Sequence, residues 1–268
     1  MIARPLERAS SQTATAALQC LAVERVLATM RERLDEDLTL HDMADVAHLS
    51  PYHFTRVFRD VTGIPPCEFL TALRLQEAKR LLLTTGLSVT DICFEVGYSS
   101  LGTFSTRFAH LIGVPPGRLR RLAEAGATPH AAPLRHHEAP AANVVPINAG
   151  VTGRIRAPDA PAGPIFVGLF PTPIPQSRPV ACTRLTAPGV YRIAPVPDGR
   201  YHVLTAALPW SRDLLGYLLP DGRRLRVGIG QGPVLVQRGR AHGVADVTLR
   251  PLQPTDPPLL TALPFLAV

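Results

Sequence analysis

Between positions 50 and 59 the sequence places Ser50, Tyr52, His53, Thr55, Arg56 and Arg59, with no carboxylate among them. Each of these side chains can hydrogen-bond, and none has a neighbour that would turn it into a nucleophile or a general base. A guanidinium such as that of Arg56 can donate two parallel hydrogen bonds to guanine O6 and N7, the commonest specific contact to a base edge. Tyr52, His53 and Thr55 lie beside it, and Ser50 could hold a phosphate through its hydroxyl and the start of a helix. The implied chemistry is non-covalent recognition of a polyanion. A second, weaker set follows about fifty residues later: Ser100, Leu101, Gly102, Thr103, Ser105, Thr106 and Arg107.

Other chemistries find little support. Cys20, Cys67, Cys93 and Cys182 form no C-x-x-C pair, so neither a zinc knuckle nor a disulfide framework is expected. Cys93 reads as a buried structural thiol, because apolar neighbours raise a thiol pKa. His136-His137-Glu138 falls in a stretch with no scaffold to fix ligand geometry, so no metal site is assigned. No G-x-S-x-G or H-E-x-x-H string occurs, and Gly228-Ile-Gly-Gln-Gly232 has no following helix to complete a phosphate loop. Trp210 beside Pro209 is expected to pack at a sheet edge. We expect no enzyme activity, no cofactor and no metal.

The elements that position these residues divide near residue 123. Of the 28 prolines, 6 lie in residues 1–122 and 22 in residues 123–268. Proline breaks helices and interrupts central strands, so the first part is free to be helical and the second must be short strands and loops. Val23, Val26, Leu27, Met30 and Leu34 mark a first amphipathic helix. Thr39-Leu-His-Asp42 is an N-terminal cap signature. Ser50-Pro51 opens a helix with Phe54, Val57, Phe58 and Val61 on one face and Gly63 at its end. Pro65-Pro66 opens a long helix closed by Gly86. Then the pattern repeats: Ser88-Val-Thr-Asp91 follows Thr39 by 49 residues, and Phe104, Phe108, Gly113 and Pro115 follow Phe54, Phe58, Gly63 and Pro65 by 50. The repeat unit is a short helix, a tight turn and a longer helix, the helix-turn-helix plan in which the second helix enters a major groove. His48 stands at the turn, where it must accept a positive φ.

These strings carry a family resemblance. Ser50-Pro-Tyr-His-Phe-Thr-Arg-Val-Phe58, Gly63-Ile-Pro-Pro66, Arg74-Leu-Gln-Glu-Ala78 and Ile92-Cys-Phe-Glu-Val-Gly-Tyr98 with Phe104-Ser-Thr-Arg-Phe108 resemble the DNA-binding domain of the AraC family of transcription regulators, over about residues 18–122. The resemblance implies seven helices, two helix-turn-helix units on a linking helix, and two reading helices in consecutive major grooves. The second reading helix departs from it, since many relatives carry Gln, Asn or Arg at its exposed early positions. Leu101 and Thr103 can touch thymine methyls, and Arg107, equivalent to Val57, is placed to reach a phosphate. The first half-site is therefore expected to carry most of the sequence specificity. In many relatives the effector domain precedes the DNA-binding domain. The order here is the reverse, so a sugar-sensor assignment does not carry over.

The expected organisation is an unstructured N-terminus (1–13), an all-α DNA-binding domain (14–122), an Ala/Pro-rich linker (123–149), an all-β sandwich (150–252) and a Pro-rich tail (253–268). Candidate strands are Val151–Arg156, Ile165–Phe170, Val190–Ala194, Tyr201–Leu208, Leu225–Ile229, Val234–Val236 and Val244–Leu249, with turns at Pro197-Asp-Gly199 and Pro220-Asp-Gly222. Gly189-Val-Tyr-Arg-Ile-Ala-Pro-Val-Pro-Asp-Gly-Arg-Tyr201 resembles carboxypeptidase regulatory-like or transthyretin-like sandwiches, which implies a fold and no function. The formal net charge is +7, and 27 of the 28 basic residues are arginine, a bias that reads as GC-rich codon usage. Residues 14–122 balance to zero, whereas residues 150–252 hold 13 Arg against 5 Asp. The helical part must then turn Glu32, Asp35, Glu36 and Asp37 away from DNA and Arg56, Arg59 and Arg118 toward it. Arg223-Arg224-Leu-Arg226 and Arg238-Gly-Arg240 read as basic sheet edges that block edge pairing. No run is long and apolar enough to span a bilayer, and a cytoplasmic protein is expected. The expected partner is double-stranded DNA, with no membrane. For the β part, four readings stay open: a sensor of a small or anionic effector, a homodimerisation module, a source of extra DNA or protein contacts, and a fused enzymatic or carbohydrate-binding module.

Overall fold

The computed structural model describes residues 5–125, 150–159 and 162–262, with side chains from residue 14 onward. Among the described residues, seven helices make up the first part: α1 (Pro5–Glu32), α2 (Leu40–Val46), α3 (Pro51–Thr62), α4 (Pro66–Thr84), α5 (Val89–Glu95), α6 (Leu101–Ile112) and α7 (Pro116–Glu124). The backbone is already helical at Pro5, inside the stretch expected to be unstructured; proline is well suited to a helix's first turn. Most of the linker expected at 123–149, with His136-His137-Glu138, lies outside the described residues.

Local chemistry sets the boundaries. Both short helices carry a complete capping box. Asp42 N donates to Thr39 Oγ1 at 3.2 Å and Thr39 N to Asp42 Oδ2 at 2.8 Å, and Ser88 and Asp91 repeat the exchange. Gly63 (φ 81°) and Gly113 (φ 94°) end α3 and α6 in the left-handed conformation. Gly86 does not close α4. That helix ends at Thr84, and the extended Thr85 turns its hydroxyl back onto the Leu81 carbonyl at 2.7 Å.

Each repeat has its own core, and α4 belongs to both. The first core joins Val23, Val26, Leu27 and Met30 of α1, Phe54, Val57 and Phe58 of α3, and Phe69, Leu70 and Leu73 from the first half of α4. The second joins Leu75, Ala78, Leu81 and Leu82 from the second half of α4 to Ile92, Phe104, Phe108 and Leu119. The repeat extends to the aromatic packing. Phe54 meets Phe58 edge-on at 5.5 Å, and Phe104 meets Phe108 at 5.6 Å.

The described residues of the second part hold ten strands and a short helix: β1 (Val151–Arg156), β2 (Ile165–Phe170), β3 (Ala181–Leu185), β4 (Val190–Ile193), β5 (Gly199–Ala207), α8 (Leu215–Leu218), β6 (Arg226–Ile229), β7 (Val234–Gln237), β8 (Arg240–His242), β9 (Val247–Thr248) and β10 (Arg250–Pro251). They make one three-stranded sheet, β4-β1-β9, and one larger sheet in which β10-β6-β5-β2-β3 run in order and β7 joins β5 to β8. Val151, Ile155, Tyr191 and Ile193 of the first sheet share a core with Val167, Leu169, Val203, Val234 and Val236 of the second. Strands β3, β8 and β10 and helix α8 were not among the expected elements. Arg226 is not on a sheet edge, because β6 pairs with β5 on one side and β10 on the other. Trp210 is 57% exposed and does not pack at an edge. Of the glycine string 228–232, Gly228 and Ile229 end β6 and residues 230–232 lie in the turn to β7.

Residues 253–262 are not a free tail. Leu260 and Ala262 are buried in the second helical core, together with Leu214 and Leu218. Lys79, the one lysine of the chain, is 2% exposed on α4, and its Nζ donates to the Leu259 carbonyl at 3.0 Å and the Leu260 carbonyl at 3.4 Å. Burial lowers its pKa from the usual lysine range to about 8. The folded state then holds fewer protons than the unfolded chain between pH 8 and about 10, so stability rises with pH across that window. Relative to Lys79→Met, the gain reaches at most about 3 kcal/mol, because the two carbonyl acceptors favour the charged form. Urea unfolding of both chains at pH 8, 9 and 10 checks this; a difference that is flat with pH refutes it.

Candidate nucleic-acid interface

Helix α3 buries one face and leaves the other to solvent. Phe54, Val57 and Phe58 are buried, whereas Tyr52 is 85% exposed and Arg56 and Arg59 are exposed, with His53 and Thr55 partly covered on either side. Tyr52, Arg56 and Arg59 follow at helical spacing and so form one outward stripe. Among the described residues neither arginine is engaged by a hydrogen bond or ion pair, so both guanidinium groups keep their donors. The Thr55 hydroxyl donates to the Pro51 carbonyl at 2.8 Å, which leaves its oxygen as an acceptor toward a ligand.

The start of α3 is open to an acceptor. Ser50 takes the N-cap backbone conformation, but its hydroxyl makes no capping bond. Pro51 has no N–H, and the amides of Tyr52 and His53 precede the first intrahelical acceptor. Two backbone donors and a free hydroxyl therefore face the same end. Ser100 differs: its hydroxyl accepts from Thr103 N at 3.4 Å and is committed to the helix.

On α6, Leu101, Gly102, Thr103, Thr106 and Arg107 are exposed and Ser105 is half-buried. Gly102, Thr103, Thr106, Arg107 and His110 line one shallow concavity. His110 was missing from the candidate residues, although its spacing of three and four from Arg107 and Thr106 was a legible signal. Arg107 is exposed where the equivalent Val57 is buried. It lies close to the buried Tyr98. Burial raises the Tyr98 pKa, and the positive charge of Arg107 works against that rise.

Two half-buried arginines tie the loops after α1 and α4 to the rest of the helical part. Arg74 on α4 donates from Nε to the Leu34 carbonyl at 2.8 Å and from its terminal nitrogen to the Glu36 carbonyl at 2.6 Å. Arg120 on α7 does the same for the Leu82 and Leu87 carbonyls, at 3.2 and 2.7 Å. Arg120 thereby satisfies a carbonyl in the last turn of α4, and Arg74 satisfies two in the loop after α1. His48 sits in the first turn at φ 55° and Gly97 in the second at φ 78°. Among the described residues no three His, Cys, Asp or Glu side chains gather as metal ligands, and no helix is long and apolar enough to cross a membrane.

Comparison with known proteins matches residues 43–122 to the family described as a helix-turn-helix domain. The bifunctional transcriptional activator/DNA repair enzyme AdaA of Bacillus subtilis is 32% identical over 102 residues, which cover 38% of this chain and 48% of AdaA. The transcriptional activator AarP of Providencia stuartii is 32% identical over 108 residues, covering 40% of this chain and 79% of AarP. A solved DNA-binding domain of AdpA, in complex with a target DNA, is 30% identical over 38% of this chain and 93% of that one, with a TM-score of 0.38. This chain thus spans about half the length of AdaA, and the family match stops at residue 122, before β1 begins. With two capped helix-turn-helix units on a shared helix, and with a relative of this identity matched over most of its length, the chain belongs to the AraC family of helix-turn-helix transcription regulators.

Proposed function

We propose that the protein regulates transcription by reading two consecutive major grooves, α3 in one and α6 in the next, about one helical turn or ~34 Å apart. The observation that carries this reading is the pair of outward polar helices built on one shared helix, α4. Ser50 and the amides at the start of α3 hold a phosphate. Tyr52, His53, Thr55 and Arg56 face base edges, and Arg59 follows the groove. On α6, Leu101 and Thr103 meet thymine methyls, Gly102 admits the backbone of the groove wall, Ser105 and Thr106 lie along it, and Arg107 pairs with a phosphate. Ser100 serves the helix as its cap.

Arg56→Ala is expected to cost about 1–3 kcal/mol at one base pair and to relax the preference there. Binding of both chains to duplexes substituted one base pair at a time is the measurement. Equal weakening on every sequence would reduce Arg56 to a phosphate contact. In the same scan, substitutions in the α3 half-site should cost more than those in the α6 half-site, because the α6 side chains discriminate through methyl contacts alone. Equal penalties in the two halves would defeat that asymmetry.

The β part is read as a two-sheet sandwich, supported by the core that both sheets share. Its 13 Arg against 5 Asp favour one role in particular, a further contact to the DNA backbone. If Arg223 and Arg224 touch phosphates, changing both to Gln lowers the slope of log K against log salt by about 2. An unchanged slope would leave the charge without a role in DNA binding.

A further inference from the structure

The contacts between the β part and the helices are not scattered. Leu214 and Leu218, at α8, enter the second core only. The loop between β2 and β3, residues 171–180, and the chain after β10, residues 252–262, together reach both units, and they are sewn to each other. Thr261 Oγ1 donates to the Pro175 carbonyl at 2.7 Å, and the Leu260 and Thr261 amides both donate to that same carbonyl at 3.2 Å. The pair then reaches three places on the helical part. Ile174 is buried in the first core, among the residues of α1 and α3. Leu260 and Ala262 are buried in the second core, and Lys79 on α4 donates to the Leu259 and Leu260 carbonyls. At the end of α6, Ser177 N donates to the Leu111 carbonyl at 2.6 Å and Ala262 N to the Ile112 carbonyl at 3.3 Å.

The last contact matters most. A helix leaves its final carbonyls without intrahelical donors, and here the β part supplies two of them to a reading helix. The two helix-turn-helix units have separate cores and are joined through α4, so the angle between α3 and α6 depends on whatever else spans both units. The sewn segments do span both. From this geometry we infer that residues 171–180 and 252–262 form a clamp that fixes α6 relative to α3, and that Lys79, Leu260 and Thr261 are positioning residues for DNA recognition. The inference rests on the proposal that α3 and α6 read DNA. It gives the β part a role that requires no ligand: it sets which spacing of half-sites the protein accepts.

The test uses the full chain. A duplex is selected from a random-sequence pool, and affinity is measured for it and for versions with one base pair added or removed between the half-sites. Two variants are compared: Leu260→Ser, and the milder Lys79→Met combined with Thr261→Val, which removes only polar contacts. Hydrogen exchange of the Ser177 and Ala262 amides reports whether the clamp is open. With the clamp open, affinity for the selected duplex should fall about tenfold, since the orientation is no longer held in advance, and the three spacings should bind nearly alike. An open clamp with unchanged affinity and spacing preference overturns the inference. So does full amide protection in both variants, which would mean that these residues do not hold the segments. If the unaltered chain selects no duplex while its amides stay protected, the DNA-reading proposal itself fails, and the two failures are thereby told apart.

Discussion

Phe58→Ala should destabilise the protein by about 3–5 kcal/mol, the cost of removing a fully buried aromatic ring from a core that cannot close over the gap. Phe58 is 0% exposed. Its ring meets Phe54 at 5.5 Å and, across the α3–α4 interface, Phe69 at 5.7 Å and 88°. The substitution removes both edge-to-face contacts as well as the buried area, and each such pair adds roughly 0.5–1.5 kcal/mol beyond area alone. Phe58 is the residue through which α3 leans on α4, so the loss should fall on the first unit. Urea unfolding reports the total. Hydrogen exchange should show α3 opening while α6, whose Phe104–Phe108 core is separate, keeps its protection. A loss below about 1 kcal/mol would contradict the packing account, as would equal opening of both helices.

Gly97→Val should be comparably damaging, at about 3 kcal/mol or more, for two reasons that add. The residue sits at φ 78°, where a β-branched side chain is a genuine outlier. A Cβ there would also overlap the Leu34 carbonyl oxygen and press on the Arg74 guanidinium. That carbonyl is the one to which Arg74 Nε donates, so relief of the overlap would loosen the contact between the turn of the second unit and the loop after α1. The equivalent turn of the first unit carries His48, exposed and also at positive φ. There the backbone is left-handed too, but the site is open to solvent, so a side chain is accepted at the cost of mild strain. His48→Gly should consequently change stability by no more than about 0.5 kcal/mol, because relief of the left-handed strain is offset by the added freedom of glycine in the unfolded chain. Thermal unfolding of the two variants side by side is the check. Similar losses at both positions would show that the conformation alone, and not the close approach at Gly97, sets the requirement for glycine.

This pair of turns also shows how far the residues could be read in advance. Where a feature depends on neighbours within one turn of helix, it was legible. The capping boxes at Thr39 and Ser88, the glycine ends of α3 and α6, the positive φ of His48 and the inward faces of both reading helices follow from local hydrogen bonding and a period of 3.6. The 49- and 50-residue offsets carried the same information a second time. The outward stripe of α3 could be named because its opposite face was already claimed by Phe54, Val57 and Phe58.

Features that depend on distant partners were not legible. Strand β3 (Ala181–Leu185) alternates only between half-buried and exposed residues, so it lacks the contrast that marks a strand; its place comes from pairing with β2. Arg74, Arg120 and Lys79 look like ordinary surface cations in the chain, yet each is spent on carbonyls more than thirty residues away. The overall charge says nothing of the DNA reader, since the excess lies in the β part and not on the reading helices.

The sharpest contrast is the end of the chain. Pro257-Pro258-Leu259-Leu260 has no periodicity and two residues that neither helices nor central strands welcome, and it reads as a tail. Folded, Leu260 lies in the second helical core, and two residues on, the Ala262 amide donates to the Ile112 carbonyl at the end of α6. The local code specified two reading helices and the turns that carry them. Their mutual arrangement is a matter of which buried surfaces meet, a long-range choice made by apolar area and unmet carbonyls, and those leave no trace in the spacing of neighbouring residues.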